Sequence, residues 1–135
     1  MPQRRVLIVD HDPTVALVTQ RGLQRMLGNE AEVTIAPSPG AAWVRYRRTG
    51  ADLVIVDPGS QNLAALALIK ALAAEQPLVP VLVLTAYDTP GLRTRMAALG
   101  VRHYLAKPVE VAELGHVVRE ALHLETGAAP SNGKA

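Results

Sequence analysis

Four polar residues in the 135-residue chain stand where chemistry could be done: Asp10, Asp57, Thr85 and Lys107. Each closes a short apolar run: Val6-Leu7-Ile8-Val9 before Asp10, Leu53-Val54-Ile55-Val56 before Asp57, Val81-Leu82-Val83-Leu84 before Thr85, and Tyr104-Leu105-Ala106 before Lys107. Two carboxylates, a hydroxyl and an ammonium gathered in one place make a cation-seeking site. Two carboxylates about 4 Å apart repel by about 4 kcal/mol at an effective dielectric of about 20, so such a site calls for positive charge. Lys107 supplies one charge and a divalent ion could supply the rest. Mg²⁺ suits this role because it takes oxygen ligands and keeps several of its waters.

The gathering depends on the elements that carry these residues. Runs of Val, Leu and Ile without polar alternation predict strands buried on both faces, hence parallel strands. A fifth, weaker run, Glu32-Val33-Thr34-Ile35, predicts a strand near a sheet edge, because Thr34 interrupts the apolar continuity. Helical periodicity fills the intervals: Val15, Val18, Gly22/Leu23 and Met26; Leu63, Leu66 and Ile69; Leu92, Met96 and Leu99; Val111, Leu114, Val118 and Leu122. A less regular helix spans Ala41 to Thr49. Asp12-Pro13 and Ser38-Pro39 read as N-cap followed by first helical residue, and Gly28-Asn29 and Gly100 as helix stops. Five strands and five helices in alternation predict an open, doubly wound α/β domain with right-handed crossovers. In such sheets ligands bind beyond the carboxyl ends of the strands, which is where all four polar residues fall.

Composition narrows the classes. The chain is 49% hydrophobic and 19% charged, which suits one domain, assigned to residues 1–125, with a flexible tail at 126–135. A domain of this size buries roughly two-thirds of its unfolded surface and needs no covalent staple. Zero Cys excludes thiol nucleophiles and cysteine-type zinc sites. The net charge of +2, with no Phe and one Trp, gives no basis for direct nucleic-acid contact. Four apolar residues after Arg5 are too few for a signal peptide or membrane span, so a soluble, cytoplasmic protein is expected. The first strand-helix turn lacks Gly-x-Gly-x-x-Gly, which argues against a nucleotide- or flavin-binding enzyme.

Taken in order, Val-Asp-His-Asp-Pro at 9–13, Asp57, Thr85-Ala86 and Tyr104-Leu-Ala-Lys-Pro at 104–108 resemble the receiver domain of two-component response regulators, over residues 4 to 124. The resemblance implies a flavodoxin-like strand order 2-1-3-4-5. It implies that Asp57 accepts a phosphoryl group, that Thr85 hydrogen-bonds that group and Lys107 pairs with it. Tyr104 is then a rotamer switch coupled to Thr85, and partners are bound through the face of the fourth helix, fifth strand and fifth helix. A cis Lys107-Pro108 bond is also implied. The implied metal ligands are Asp10, Asp57 and the Gly59 backbone carbonyl, with Mg²⁺ or Mn²⁺ as the ion. The implied partners are a sensor histidine kinase or phosphotransfer protein and a downstream effector or output domain, and the chain is not an enzyme beyond its own phosphoryl transfer and hydrolysis.

The loop after Asp57 departs from that pattern, lacking a usual Pro and carrying Ala65 where a Gly is usual, but the main departure follows the first strand. Receivers usually carry two adjacent acids after the first strand, and here the second is His11. A neutral imidazole removes one negative charge and favours softer ions such as Mn²⁺, Ni²⁺ or Zn²⁺, so weaker Mg²⁺ binding is expected. His11 has three readings, as metal ligand, hydrogen-bonding partner or exposed loop residue, and Asp12 is an alternative ligand that also suits helix capping. The departure supports a second function: a pseudo-receiver that docks partners independently of phosphorylation. Trp43 and Tyr46 read as packing, Arg45, Arg47 and Arg48 as a solvated helix face, and His116 and His123 as surface residues. Arg93, Arg95, Arg102, Glu113 and Arg119 are candidates for homodimer salt bridges. With no DNA-binding or catalytic segment after residue 125, output is expected in a partner or beyond the tail.

Overall fold

The computed structural model describes residues 3–60 and 62–124; the tail assigned to 126–135 lies outside them. Five strands, β1 (Arg4–Val9), β2 (Ala31–Ala36), β3 (Leu53–Val56), β4 (Val81–Thr85) and β5 (His103–Ala106), alternate with five helices. The helices are α1 (Pro13–Leu27), α2 (Pro39–Thr49), α3 (Leu63–Ala73), α4 (Pro90–Ala98) and α5 (Val111–Ala121). The strands form one parallel sheet in the order β2-β1-β3-β4-β5.

Alternate residues of each strand feed two cores, as the two-residue period of a strand requires. Leu7, Val9, Val54, Val56, Val81 and Val83 pack against α2, α3 and α4 through Ala42, Leu66, Ile69, Leu72, Leu92 and Met96. Val6, Ile8, Leu53, Ile55, Leu82 and Leu84 pack on the opposite face against α1 and α5 through Leu23, Leu27, Leu114, Val118 and Leu122. Fully apolar central strands are thus buried on both sides.

The helix boundaries follow their caps. Asp12 accepts hydrogen bonds from the Thr14 and Val15 amides (2.9 and 3.2 Å), and Ser38 accepts from Ala41 (3.1 Å). Asn62 and Thr89 do the same for α3 and α4. Gly28 ends α1 at φ +55°, in the left-handed region that a side chain disfavours.

In two helices the buried stripe differs from the apolar spacing. Val18 is 64% exposed and Met26 is also exposed; α1 buries Ala16, Leu23 and Leu27 instead. Its flank toward β2 is polar. The Gln20 amide donates to the Val33 carbonyl, while Gln24 donates to the Ala31 carbonyl and accepts from the Val33 amide. Together with Arg45, which donates to the Ile35 carbonyl, these side chains satisfy the outer edge of β2 and blunt it against further strand pairing. Leu63, at the first position of α3, is 80% exposed, whereas Leu66 and Ile69 are buried.

Candidate functional site

Register alone brings the polar strand ends together. Val9 of β1 is level with Val56 of β3, and the Asp57 amide donates to the Val9 carbonyl (3.0 Å), so Asp10 and Asp57 leave the sheet side by side. Thr85 of β4 is level with Ala106 of β5, and the Lys107 amide donates to the Thr85 carbonyl (2.8 Å). Lys107 therefore emerges beside the acids, and its Nζ donates to Asp10 Oδ2 (2.7 Å) and Asp57 Oδ2 (2.8 Å). The Lys107–Pro108 bond is cis.

The remaining carboxylate oxygens are held by backbone. Asp10 Oδ1 accepts from the Asp12 amide (2.9 Å) and Asp57 Oδ1 from the Gly59 amide (2.8 Å). The second contact needs a tight turn, and Gly59 takes φ +58° to make it. Burial alone would push the Lys107 ammonium toward losing its proton, but its bonds to Asp10 and Asp57 outweigh this and hold its pKa above the ordinary lysine value.

Asp57 is only 6% exposed, yet it is not sealed under packed side chains. It lies on the floor of a cavity of about 410 Å³ whose walls include Asp10, His11, Ser38, Gly59, Asn62 and Tyr87. Asp10, His11 and Asp57 each present a ligand atom, all within 4.8 Å of one another. His11 is well exposed, with Nδ1 3.6 Å from Asp10 Oδ1. Asp12 instead turns its side chain to the α1 amides. Two carboxylates and an imidazole fit a divalent cation, with His11 in place of a third oxygen.

Thr85 is fully buried, and its hydroxyl accepts from the Tyr87 amide (3.0 Å). Tyr104 is half-buried and makes contacts that no sequence motif signalled. Its hydroxyl donates to Asp88 Oδ1 (2.9 Å), and the Arg93 guanidinium lies 4.5 Å from its ring centroid. Arg93 in turn donates from Nε and a terminal nitrogen to both Asp88 oxygens (2.9 and 3.1 Å). Burial, reinforced by the Asp88 carboxylate, pushes the Tyr104 phenol up to about 12.

The other residues singled out by sequence lie apart from this rim. Trp43 and Tyr46 pack together and against the core, with Tyr46 donating to Glu75 and Arg47 over the Trp43 ring. His116 and His123 are exposed. Of the dimer candidates, Arg93 pairs with Asp88 and Arg119 with Glu30 inside the chain.

Sheet order, helix placement and an acid-lysine cluster at the carboxyl rim define the class: a doubly wound parallel α/β domain with its polar site where the strands end. The family described as response regulator receiver domain matches residues 6–119, and the chain belongs to it. The chain is 32% identical over 114 residues to the methanol utilization control regulatory protein MoxX of Paracoccus denitrificans, covering 82% of this chain and 49% of that protein. It is 29% identical over 122 residues to the DNA-binding transcriptional regulator NtrC of a Bradyrhizobium strain, covering 90% of this chain and 25% of that one. The chain thus spans half or less of these curated relatives. A response regulator from Thermotoga maritima superposes with a TM-score of 0.78 at 26% identity, covering 90% of this chain and 99% of that one. Among the described residues no helix is long and apolar enough to cross a membrane.

Proposed function

We propose that Asp57 accepts a phosphoryl group from a histidine kinase or phosphotransfer protein, and that the modified domain switches its affinity for an effector or output domain. The observation that carries this reading is the Lys107 ammonium bridging Asp10 and Asp57 on the floor of an open cavity. In the transfer, an Asp57 oxygen bonds to phosphorus, the bond from phosphorus to the donor imidazole nitrogen breaks, and its electron pair stays with the imidazole. The charge spread over the equatorial oxygens must be neutralised, and a fixed ammonium beside the nucleophile does this without reorganising. Ala86 leaves room for the incoming group. The Thr85 hydroxyl, now accepting from Tyr87, has its own proton to give to a phosphoryl oxygen.

Asp10, Asp57, the Gly59 carbonyl and His11 would hold the divalent ion, Mg²⁺ or Mn²⁺, which supplies further neutralisation of phosphoryl oxygens. Because His11 offers an imidazole nitrogen where an all-carboxylate pocket offers an oxygen, this pocket favours Mn²⁺ over Mg²⁺ more than such a pocket does. The role belongs to the cytoplasm, with α4, β5 and α5 as the switching face.

The same histidine favours a second reading, a pseudo-receiver that docks partners without phosphorylation. Incubation with acetyl phosphate and either ion, read by intact mass, separates the two. We expect one phosphoryl group on the native protein and none on Asp57→Asn. No uptake with either ion, together with unchanged partner binding by Asp57→Asn, would establish the pseudo-receiver.

A further inference from the structure

We propose that Asp88 and Arg93 are positioning residues forming a latch, which holds Tyr104 in its resting rotamer and so sets how readily the domain switches. The latch rests on the phosphoacceptor reading above, but its members belong to neither the acid pocket nor the cavity wall.

Three contacts close on one another. The Arg93 fork fixes both oxygens of Asp88, Asp88 Oδ1 receives the Tyr104 hydroxyl, and the guanidinium covers the Tyr104 ring. Each member touches the other two, so orienting one pre-orients the rest, and the ordering cost of the second and third contacts is reduced. Staggered side-chain wells lie about 120° apart, so a change of χ1 swings a phenol hydroxyl by several ångströms. No hydrogen bond survives such a displacement. Tyr104 therefore cannot change rotamer without leaving both Asp88 and Arg93.

The latch also connects to the site. Asp88 stands three residues after Thr85 on the loop into α4, and the Thr85 hydroxyl holds that loop through the Tyr87 amide. If Thr85 turns toward a phosphoryl group, it releases Tyr87 and loosens the segment that carries Asp88. Occupancy at Asp57 and release of Tyr104 then share one short stretch of backbone. A switch whose competent state is scarce binds its activating group more weakly in proportion to that scarcity. Weakening the latch should therefore raise apparent affinity for the phosphoryl analogue without touching the pocket.

Two measurements test this. In the first, beryllofluoride is titrated with Mn²⁺ into the native protein, Asp88→Ala, Arg93→Met and the double variant. Each single change should tighten binding by about threefold to tenfold, the range a partly exposed ion-pair network supports. The double variant should gain no more than the better single one, because both remove the same restraint. Arg93→Lys keeps the charge but loses the fork and should fall between native and Arg93→Met. Measurable binding with equal affinity in all five proteins would overturn the latch.

In the second, NMR of ring-labelled tyrosine follows Tyr104 without any phosphoryl chemistry. One fixed ring environment is expected in the native protein, and averaging between two in Asp88→Ala. Averaging already present in the native protein would refute the latch. A native protein that ignores beryllofluoride while its ring behaves as expected would refute the phosphoacceptor reading, leaving only the restraint of the Tyr104 ring by Asp88 and Arg93.

Discussion

Lys107 sits between two carboxylates, so the three groups carry a net charge of −1 when His11 is neutral, one unit less negative than a pocket with an acid at that position. Replacing His11 by Asp restores the unit. At about 4 Å a full charge is worth about 4 kcal/mol at an effective dielectric of about 20. His11 is 60% exposed, so water screens much of this, leaving about 1.4 kcal/mol or a tenfold change. Calorimetric titration of His11→Asp should therefore show Mg²⁺ bound about tenfold more tightly than by the native protein, and Mn²⁺ improved less. Equal gains for both ions would mean that His11 contributes no ligand atom. Asp10, Asp57, Thr85 and Lys107 were legible in the sequence because each ends an apolar run, and parallel strands put such ends on one rim. The pairing of Arg93 with Asp88 was not: the sequence offers Arg93 only as a candidate for a homodimer salt bridge, and a surface ion pair within the chain leaves no trace in periodicity.

At the scale of elements, the sequence signals differed in strength for a physical reason. Strands buried on both faces must be apolar throughout, so β1, β3 and β4 could be read directly. In α1 only part of the inward surface is apolar, because Gln20 and Gln24 are spent on the free edge of β2. A hydrophobic stripe cannot register amides used in this way, and Val18, although in step with the apolar periodicity, faces out. Capping was more transparent. Asp12-Pro13 joins a side-chain acceptor to a residue with no amide proton to satisfy. Asp12→Ala should cost about 1 kcal/mol, the usual worth of an N-cap, as a lower urea midpoint at unchanged slope. Its divalent-metal affinity should stay native, because the Asp12 side chain is turned to the helix. A loss of metal affinity comparable to that of Asp10→Ala would instead make Asp12 a ligand.

For the molecule as a whole, the acid pocket sets function against stability. Asp10 and Asp57 lie side by side at the carboxyl rim of the sheet, and a single ammonium must serve both. Removing one acid leaves a balanced pair, whereas removing the lysine leaves two like charges with little water around them. In metal-free buffer at pH 7, urea unfolding should therefore find Asp57→Asn as stable as the native domain or more stable by about 1 kcal/mol, as expected where a site is kept for its chemistry. Lys107→Met should be less stable by about 1–3 kcal/mol, reduced from the deeply buried case because the cavity admits water. The alkaline side gives a second handle. Lys107 and Tyr104 both keep their protons to higher pH in the fold than in the unfolded chain, whose ordinary values are 10.5 and 10.0. Their contribution to stability is complete below about pH 10 and drains away as pH rises through the folded values, about 12 for Tyr104. Lys107→Met should remove part of that alkaline decline and Tyr104→Phe another part. If Asp57→Asn proved as damaging at pH 7 as Lys107→Met, the pocket would be a net source of stability, and switching would not be set against folding in this domain.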